Sequence, residues 1–179
     1  MARAGHSKQK GNRSEEFLEV VDRSNTPIAV LPRTQVHLQG LFHRSVVILV
    51  YDRKGRILLT KRAKDKFPYP DRWDLSATGH VWAREAVRDA ALRELKEETG
   101  LVPLWLKLLQ IIAGCEETNL EFVYVFSAGN ARSRIQGNAA EVQDHAFLSR
   151  EELKTMVEKH PENLTPALVY LWEKGLVFE

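Results

Sequence analysis

Hydrophobic positions fall into short strand-like blocks through the first third of the chain and take up a helical period only later. Phe17-Leu18-Glu19-Val20-Val21 and Ile28-Ala29-Val30-Leu31 flank a turn at Asp22 to Pro27 and predict two strands, followed by a connector to His43. Ser45-Val46-Val47-Ile48-Leu49-Val50-Tyr51 is almost continuously apolar, which predicts a strand covered on both faces. Asp52-Arg53-Lys54-Gly55 supplies a turn, and Arg56-Ile57-Leu58-Leu59-Thr60 is expected to pair back as a hairpin. From Lys64 onward, Pro68 and Pro70 among Phe67, Tyr69 and Trp73 indicate an ordered loop.

Residues 85–99 are Ala-rich and contain neither Gly nor Pro, and Gly100 stands at a C-cap position, so one helix is predicted there. Strands are expected at 104–112, 120–127 and 142–148. Ser149 with Glu152 makes a capping box for a second helix, and Thr165-Pro166 opens a third that Gly175 ends. This order predicts an α/β (α+β) domain, a mixed sheet with helices packed on it.

Composition narrows the class. A chain of 179 residues suits one domain with its own core. A single cysteine, Cys115, excludes a disulfide framework or a multi-cysteine metal cluster and suits a reducing compartment. No apolar run reaches the ~18–20 residues of a membrane span, and the basic start lacks the apolar stretch of a secretory signal. A cytoplasmic protein is expected. Arg3, Lys8, Lys10 and Arg13 are four of the 26 basic residues, leaving 22 against 24 acidic ones in the rest of the chain. The basic character therefore belongs to residues 1–13, whose Gly, Ser, Gln and Asn content predicts a disordered tail rather than a nucleic-acid-binding arm. Strands and connector at 14–42 and the main domain at 43–179 follow.

The candidate chemistry lies on the first predicted helix. At about 100° per residue, Glu94, Glu97 and Glu98 fall within one arc that continues the stripe of Val87, Ala90 and Ala91, while Arg88, Asp89, Lys96, Leu92 and Thr99 lie opposite. Acids on an inward stripe repel one another and need a counter-charge. All-oxygen donors point to Mg²⁺ or Mn²⁺ rather than zinc. Gly79, just before the helix, permits close approach and can lend its carbonyl.

These residues carry a resemblance. Gly79, five residues, Glu85, seven residues, then Arg93-Glu94-Leu95-Lys96-Glu97-Glu98-Thr99-Gly100-Leu101 resembles the Nudix box at every specified position. The resemblance implies an α/β/α sandwich that hydrolyses a diphosphate linkage in a small-molecule substrate, through a divalent metal. It implies Glu94 and Glu98 as metal ligands, Glu97 as a ligand or the base, and Arg93 as an orienting group. Glu85 is expected to be structural, and Glu141, before the last strand, is a second candidate for the base.

Residues 43–80 also resemble isopentenyl-diphosphate isomerase, a relative on the same fold, through Thr60-Lys61-Arg62-Ala63, Lys66, Trp73 and Ser76-Ala77-Thr78-Gly79-His80. That resemblance implies Arg62 and Lys66 as diphosphate clamps. It also implies a second metal site, for which His43, His80 and Glu121 match, His37 is offset by about one position and Asn119 replaces a glutamate. Thr78 stands where the isomerase needs a cysteine, and the box is complete where isomerases usually have a degraded one. A hydrolase is therefore expected, ahead of an isomerase or a ligand-binding module, which would have no need of three helix carboxylates. Phe67, Tyr69, Trp73 and Trp82 are candidates for stacking on a substrate. The first two strands are candidates for extending a neighbouring sheet in a homodimer.

Overall fold

The computed structural model describes residues 15–129 and 135–178; the tail expected at 1–13 lies outside them. The apolar run becomes β3 (His43–Val50), which lies antiparallel to β6 (Ala77–His80) and parallel to β8 (Glu121–Ala128). With β7 (Leu106–Ile112) outside β8, the sheet order is β6-β3-β8-β7. Val46, Ile48 and Val50 pack with Ala90, Ala91 and Leu95 of α2 (Val87–Thr99). Val47 and Leu49 face the other way, toward Leu153 of α3 (Arg150–Lys159) and Leu168 and Leu171 of α4 (Pro166–Glu173). Helices cover both faces, so β3 has no polar side and its sequence does not alternate. The result is the α/β/α sandwich, built on a mixed sheet.

The turn after β3 forms, with Asp52 Oδ1 accepting from the amides of Lys54 and Arg56, and Gly55 at φ 73°. The expected hairpin does not. Beyond a bridge between Tyr51 and Ile57, β4 (Ile57–Arg62) leaves for a second sheet, between β5 (Trp73–Asp74) and β9 (Val142–Leu148). Both edges of β3 are already occupied by β6 and β8, which leaves β4 no place beside it.

Three further expectations are corrected. Within the connector before His43, α1 (Arg33–Leu38) forms. α2 starts at Val87 rather than 85, because Glu85 closes a turn in which its Oε2 accepts from Trp82 N and its own N–H donates to Trp82 O. Thr99, expected on the outer side of α2, is fully buried, with its hydroxyl donating to Leu95 O. Gly100 ends α2 at φ 71°, Ser149 and Glu152 complete the capping box of α3, and Thr165 caps α4.

β1 (Phe17–Val21) and β2 (Pro27–Pro32) form a two-stranded sheet of their own. It docks on the turn before α2: Leu18 bridges Trp82, and Ala83 N donates to Phe17 O at 2.7 Å.

Candidate active site

Helical geometry decides which acids of α2 turn inward. Glu94 and Glu98 are one turn apart and buried, 7% and 3% exposed. Glu97, roughly 60° round from Glu94 on the side away from Glu98, is at the rim and exposed. The buried stripe is Ala90, Ala91, Glu94, Leu95, Glu98 and Thr99, so the three acids do not converge as one cluster.

Each buried acid has its own cation. Arg93 Nη1 donates to Glu94 Oε1 at 2.7 Å. Lys66 Nζ lies 2.5 Å from Glu98 Oε1 and 3.3 Å from Glu141 Oε2, and Thr78 N donates to Glu98 Oε2 at 3.1 Å. Burial, opposed by the Arg93 guanidinium and reinforced by the charge of Glu98, pushes the Glu94 carboxyl up to about 8. Burial also raises Glu98, against the pull of Lys66. Lys66 itself is raised, because Glu98 and Glu141 outweigh the burial that would lower it.

Gly79 is needed where it stands. A Cβ there would lie 2.0 Å from Glu94 Cδ, so the carboxylate occupies the volume of a side chain. Two buried carboxylates one turn apart, one of them packed on a glycine, suit a hard divalent cation, so these residues fit the ion implied by the box.

Arg93 is fully engaged. It grips Glu85 with Nε and Nη2 at 2.8 and 2.9 Å, donates from Nη2 to His80 O at 2.9 Å, and lies 3.6 Å from the centre of the Trp82 ring. Arg62 is likewise occupied: Nη2 donates to Pro68 O at 2.9 Å and Nη1 to Asp74 Oδ2 at 3.2 Å. Asp74 escaped the sequence reading. It is buried, it accepts from Thr165 at 2.8 Å, and the Thr78 hydroxyl lies 3.5 Å from it. An acid in a loop-like stretch between Trp73 and Leu75 gave no periodic signal.

A second constellation forms at the N-terminal ends of β3 and β8. Register pairs His43 with Glu121 and Ser45 with His80, and α1 brings His37 over them. The donor atoms of His37, His43, His80 and Glu121 lie within 4.8 Å of one another. His37 Nε2 is 3.1 Å from His80 Nε2, and His43 and His80 Nε2 are each 3.6 Å from Glu121 Oε1. His43 Nδ1 donates to Leu41 O at 2.9 Å, and its Nε2 is buried without a hydrogen bond. Imidazoles around one carboxylate fit a transition metal better than Mg²⁺. Burial lowers the His80 pKa, and burial with the charges of His80 and His43 lowers His37 to about 4. Burial favours a protonated Glu121, but His43 and His80 overcome it and hold the carboxyl below its usual range. Asn119, placed by its resemblance at a glutamate position, lies 3.2 Å from His37 Nδ1.

Comparison with known proteins agrees. The NUDIX domain model matches residues 41–168. The chain belongs to the Nudix hydrolase family. Among its relatives, isopentenyl-diphosphate delta-isomerase 2 of Photorhabdus laumondii is 31% identical over 167 residues, 91% of each chain. An uncharacterized Nudix hydrolase of Pseudomonas aeruginosa is 33% identical over 161 residues, 87% of this chain and 94% of the relative. The Nudix fold here also superposes on a crystal structure from Deinococcus radiodurans with TM-score 0.79 at 21% identity, covering 89% of this chain and 98% of the other.

Proposed function

We propose that the protein hydrolyses a diphosphate linkage in a nucleoside diphosphate-linked or related small molecule, with Mg²⁺ or Mn²⁺ at Glu94, Glu98 and the Gly79 carbonyl. The observation that carries this reading is the pair of buried carboxylates one turn apart on α2, Glu94 packed on Gly79 and Glu98 on the Thr78 amide. When bound, such an ion neutralises diphosphate oxygens and acidifies water. Arg93, anchored by Glu85 and Trp82, holds Glu94 in its place. Glu141, across Lys66 from Glu98, accepts the proton of the attacking water, with Glu97 at the rim as the other acceptor. Lys66 on the adjoining loop and Arg62 at the end of β4 are the side-chain cations assigned to a substrate anion. A cytoplasmic setting and self-association through the N-terminal sheet belong to the same proposal; no helix among the described residues is long and apolar enough to cross a membrane.

The test is a panel of nucleoside triphosphates, dinucleotides, sugar nucleotides, coenzyme A and prenyl diphosphates, following substrate loss and product formation by chromatography with and without Mg²⁺ or Mn²⁺. Metal-dependent turnover of a panel member is expected. A compound that binds tightly and survives intact would replace the enzyme by a ligand-binding module.

The histidine constellation and the isomerase relatives favour a second reading, an isomerase acting on a prenyl diphosphate with a transition metal at His37, His43, His80 and Glu121. Thr78 opposes it, since a hydroxyl beside Asp74 does not replace a thiol. Isotope exchange into isopentenyl diphosphate above background would establish the isomerase.

A further inference from the structure

The two cations of the carboxylate site are held in different ways. Arg93 is fixed on four sides, by Glu85, Glu94, the His80 carbonyl and the Trp82 ring. Lys66 reaches its partners by its flexible stem alone, from the loop between β4 and β5, and ends between two carboxylates that come from different elements, Glu98 on α2 and Glu141 before β9.

The oxygens of Glu98 are divided accordingly. Oε2 accepts from the backbone amide of Thr78 on β6, a donor that cannot leave without breaking the sheet. Oε1 is held by the Lys66 ammonium. Oε1 is the Glu98 oxygen with no backbone donor among the described residues, and a divalent ion on either oxygen would be within a few ångströms of the ammonium and strongly repelled where little water intervenes.

We infer that the Lys66 ammonium and the divalent ion compete for Glu98, so that Lys66 is a resident counter-ion displaced when metal binds. This rests on the carboxylate metal site proposed above. The arrangement gives a carboxylate as buried as Glu98 a partner for its charge, since an uncompensated charge there would be costly. It also makes Lys66 a weakening element for metal, whereas a cation that merely anchors substrate leaves metal affinity alone.

The experiment is a Mn²⁺ titration of the metal-stripped full chain, reading the free ion by electron paramagnetic resonance. Sites lost in Glu98→Gln are those counted, which separates them from the histidine constellation. Lys66→Met keeps the stem and removes the charge, and should bind Mn²⁺ at those sites about tenfold more tightly, the size expected for one close charge pair. Lys66→Arg, which keeps the charge, should stay near the parent. The rise in melting temperature on adding Mn²⁺ should be larger for Lys66→Met than for the parent. A variant that folds only with Mn²⁺ present is the extreme of that result. Equal or weaker Mn²⁺ binding by Lys66→Met overturns the competition while leaving the carboxylate metal site intact. Parent Mn²⁺ sites that all survive Glu98→Gln overturn both.

Discussion

The acids of α2 and the histidines gathered around Glu121 solve the problem of buried polarity in opposite ways. On α2 each buried carboxylate has a built-in cation, Arg93 for Glu94 and Lys66 for Glu98. In the histidine constellation Glu121 faces imidazole nitrogens instead, and His43 Nε2 is buried without a hydrogen bond. With the metal proposed for it, the first site would have to rearrange its Lys66–Glu98 ion pair. The second already brings its donor atoms within 4.8 Å of one another, so the metal proposed there would need less rearrangement. The two groups, carboxylates on α2 and imidazoles gathered from α1, β3 and β6, would thus make different demands on a metal.

The sharpest way to break this contrast is to remove one donor from each. Losing a metal-ligating carboxylate forfeits several kcal/mol of transition-state stabilisation, so Glu98→Gln should lower kcat/KM for hydrolysis roughly 100- to 1,000-fold with the fold intact. His43→Gln should spare most of that activity but weaken Zn²⁺ or Co²⁺ binding by more than the ~100-fold that loss of an outer-shell partner costs. Equal losses of hydrolysis in the two variants would show one machinery rather than two sites.

A smaller effect is expected at the glycine. Gly79→Ala drives a methyl into the Glu94 carboxylate, and overpacking of this kind costs about 1–3 kcal/mol. Thermal melting should fall by several degrees and metal affinity at the carboxylates should drop, with the histidine constellation keeping its Zn²⁺. An unchanged melting point and Mn²⁺ affinity would mean that Glu94 moves aside without consequence.

The gentlest probe is pH, where the two regions should pull in opposite directions in the metal-stripped protein. His37 titrates near 4 in the fold against 6.5 in a free chain, so the unfolded chain binds more protons between these values and stability is lost as pH falls through that window. Glu94 titrates near 8 in the fold against 4.5 in a free chain, so the folded form holds the extra proton and stability is lost as pH rises from about 4.5 through 8. His37→Gln should flatten the acid side of a stability profile and Glu94→Gln the alkaline side. If each variant leaves its own side unchanged, the assignments fail.

Much of this was legible in the residues, and the reasons differ by region. β3, the caps of α3 and α4 and the end of α2 are local signals: an apolar run, Ser149 with Glu152, Thr165-Pro166 and Gly100. The carboxylate pair was visible because helical spacing fixes which acids share a side, although the orientation of the arc had to come from packing, and it left Glu97 outside. Strand partnership was less accessible. Nothing in Asp52-Arg53-Lys54-Gly55 says that β6 and β8 will take the edges of β3 first. The histidines span residues 37 to 80, and they meet through the β3 register and α1, a six-residue helix with no side-chain cap to announce it. Asp74 acts through Arg62, Thr78 and Thr165, contacts that exist only once four elements have packed.

The docking of the N-terminal sheet bears on modularity. Phe17 supplies a carbonyl to Ala83, Leu18 bridges Trp82, Glu19 Oε1 accepts from Arg84 N at 3.2 Å, and His37 completes the constellation, yet all four precede the family match that begins at residue 41. A graft or a chimera cut at that boundary would carry the box and leave behind the turn's support and one imidazole. The transplantable unit of this protein therefore begins at the first strand, and exchange of parts with its relatives must keep residues 16–40 and 79–99 from the same parent.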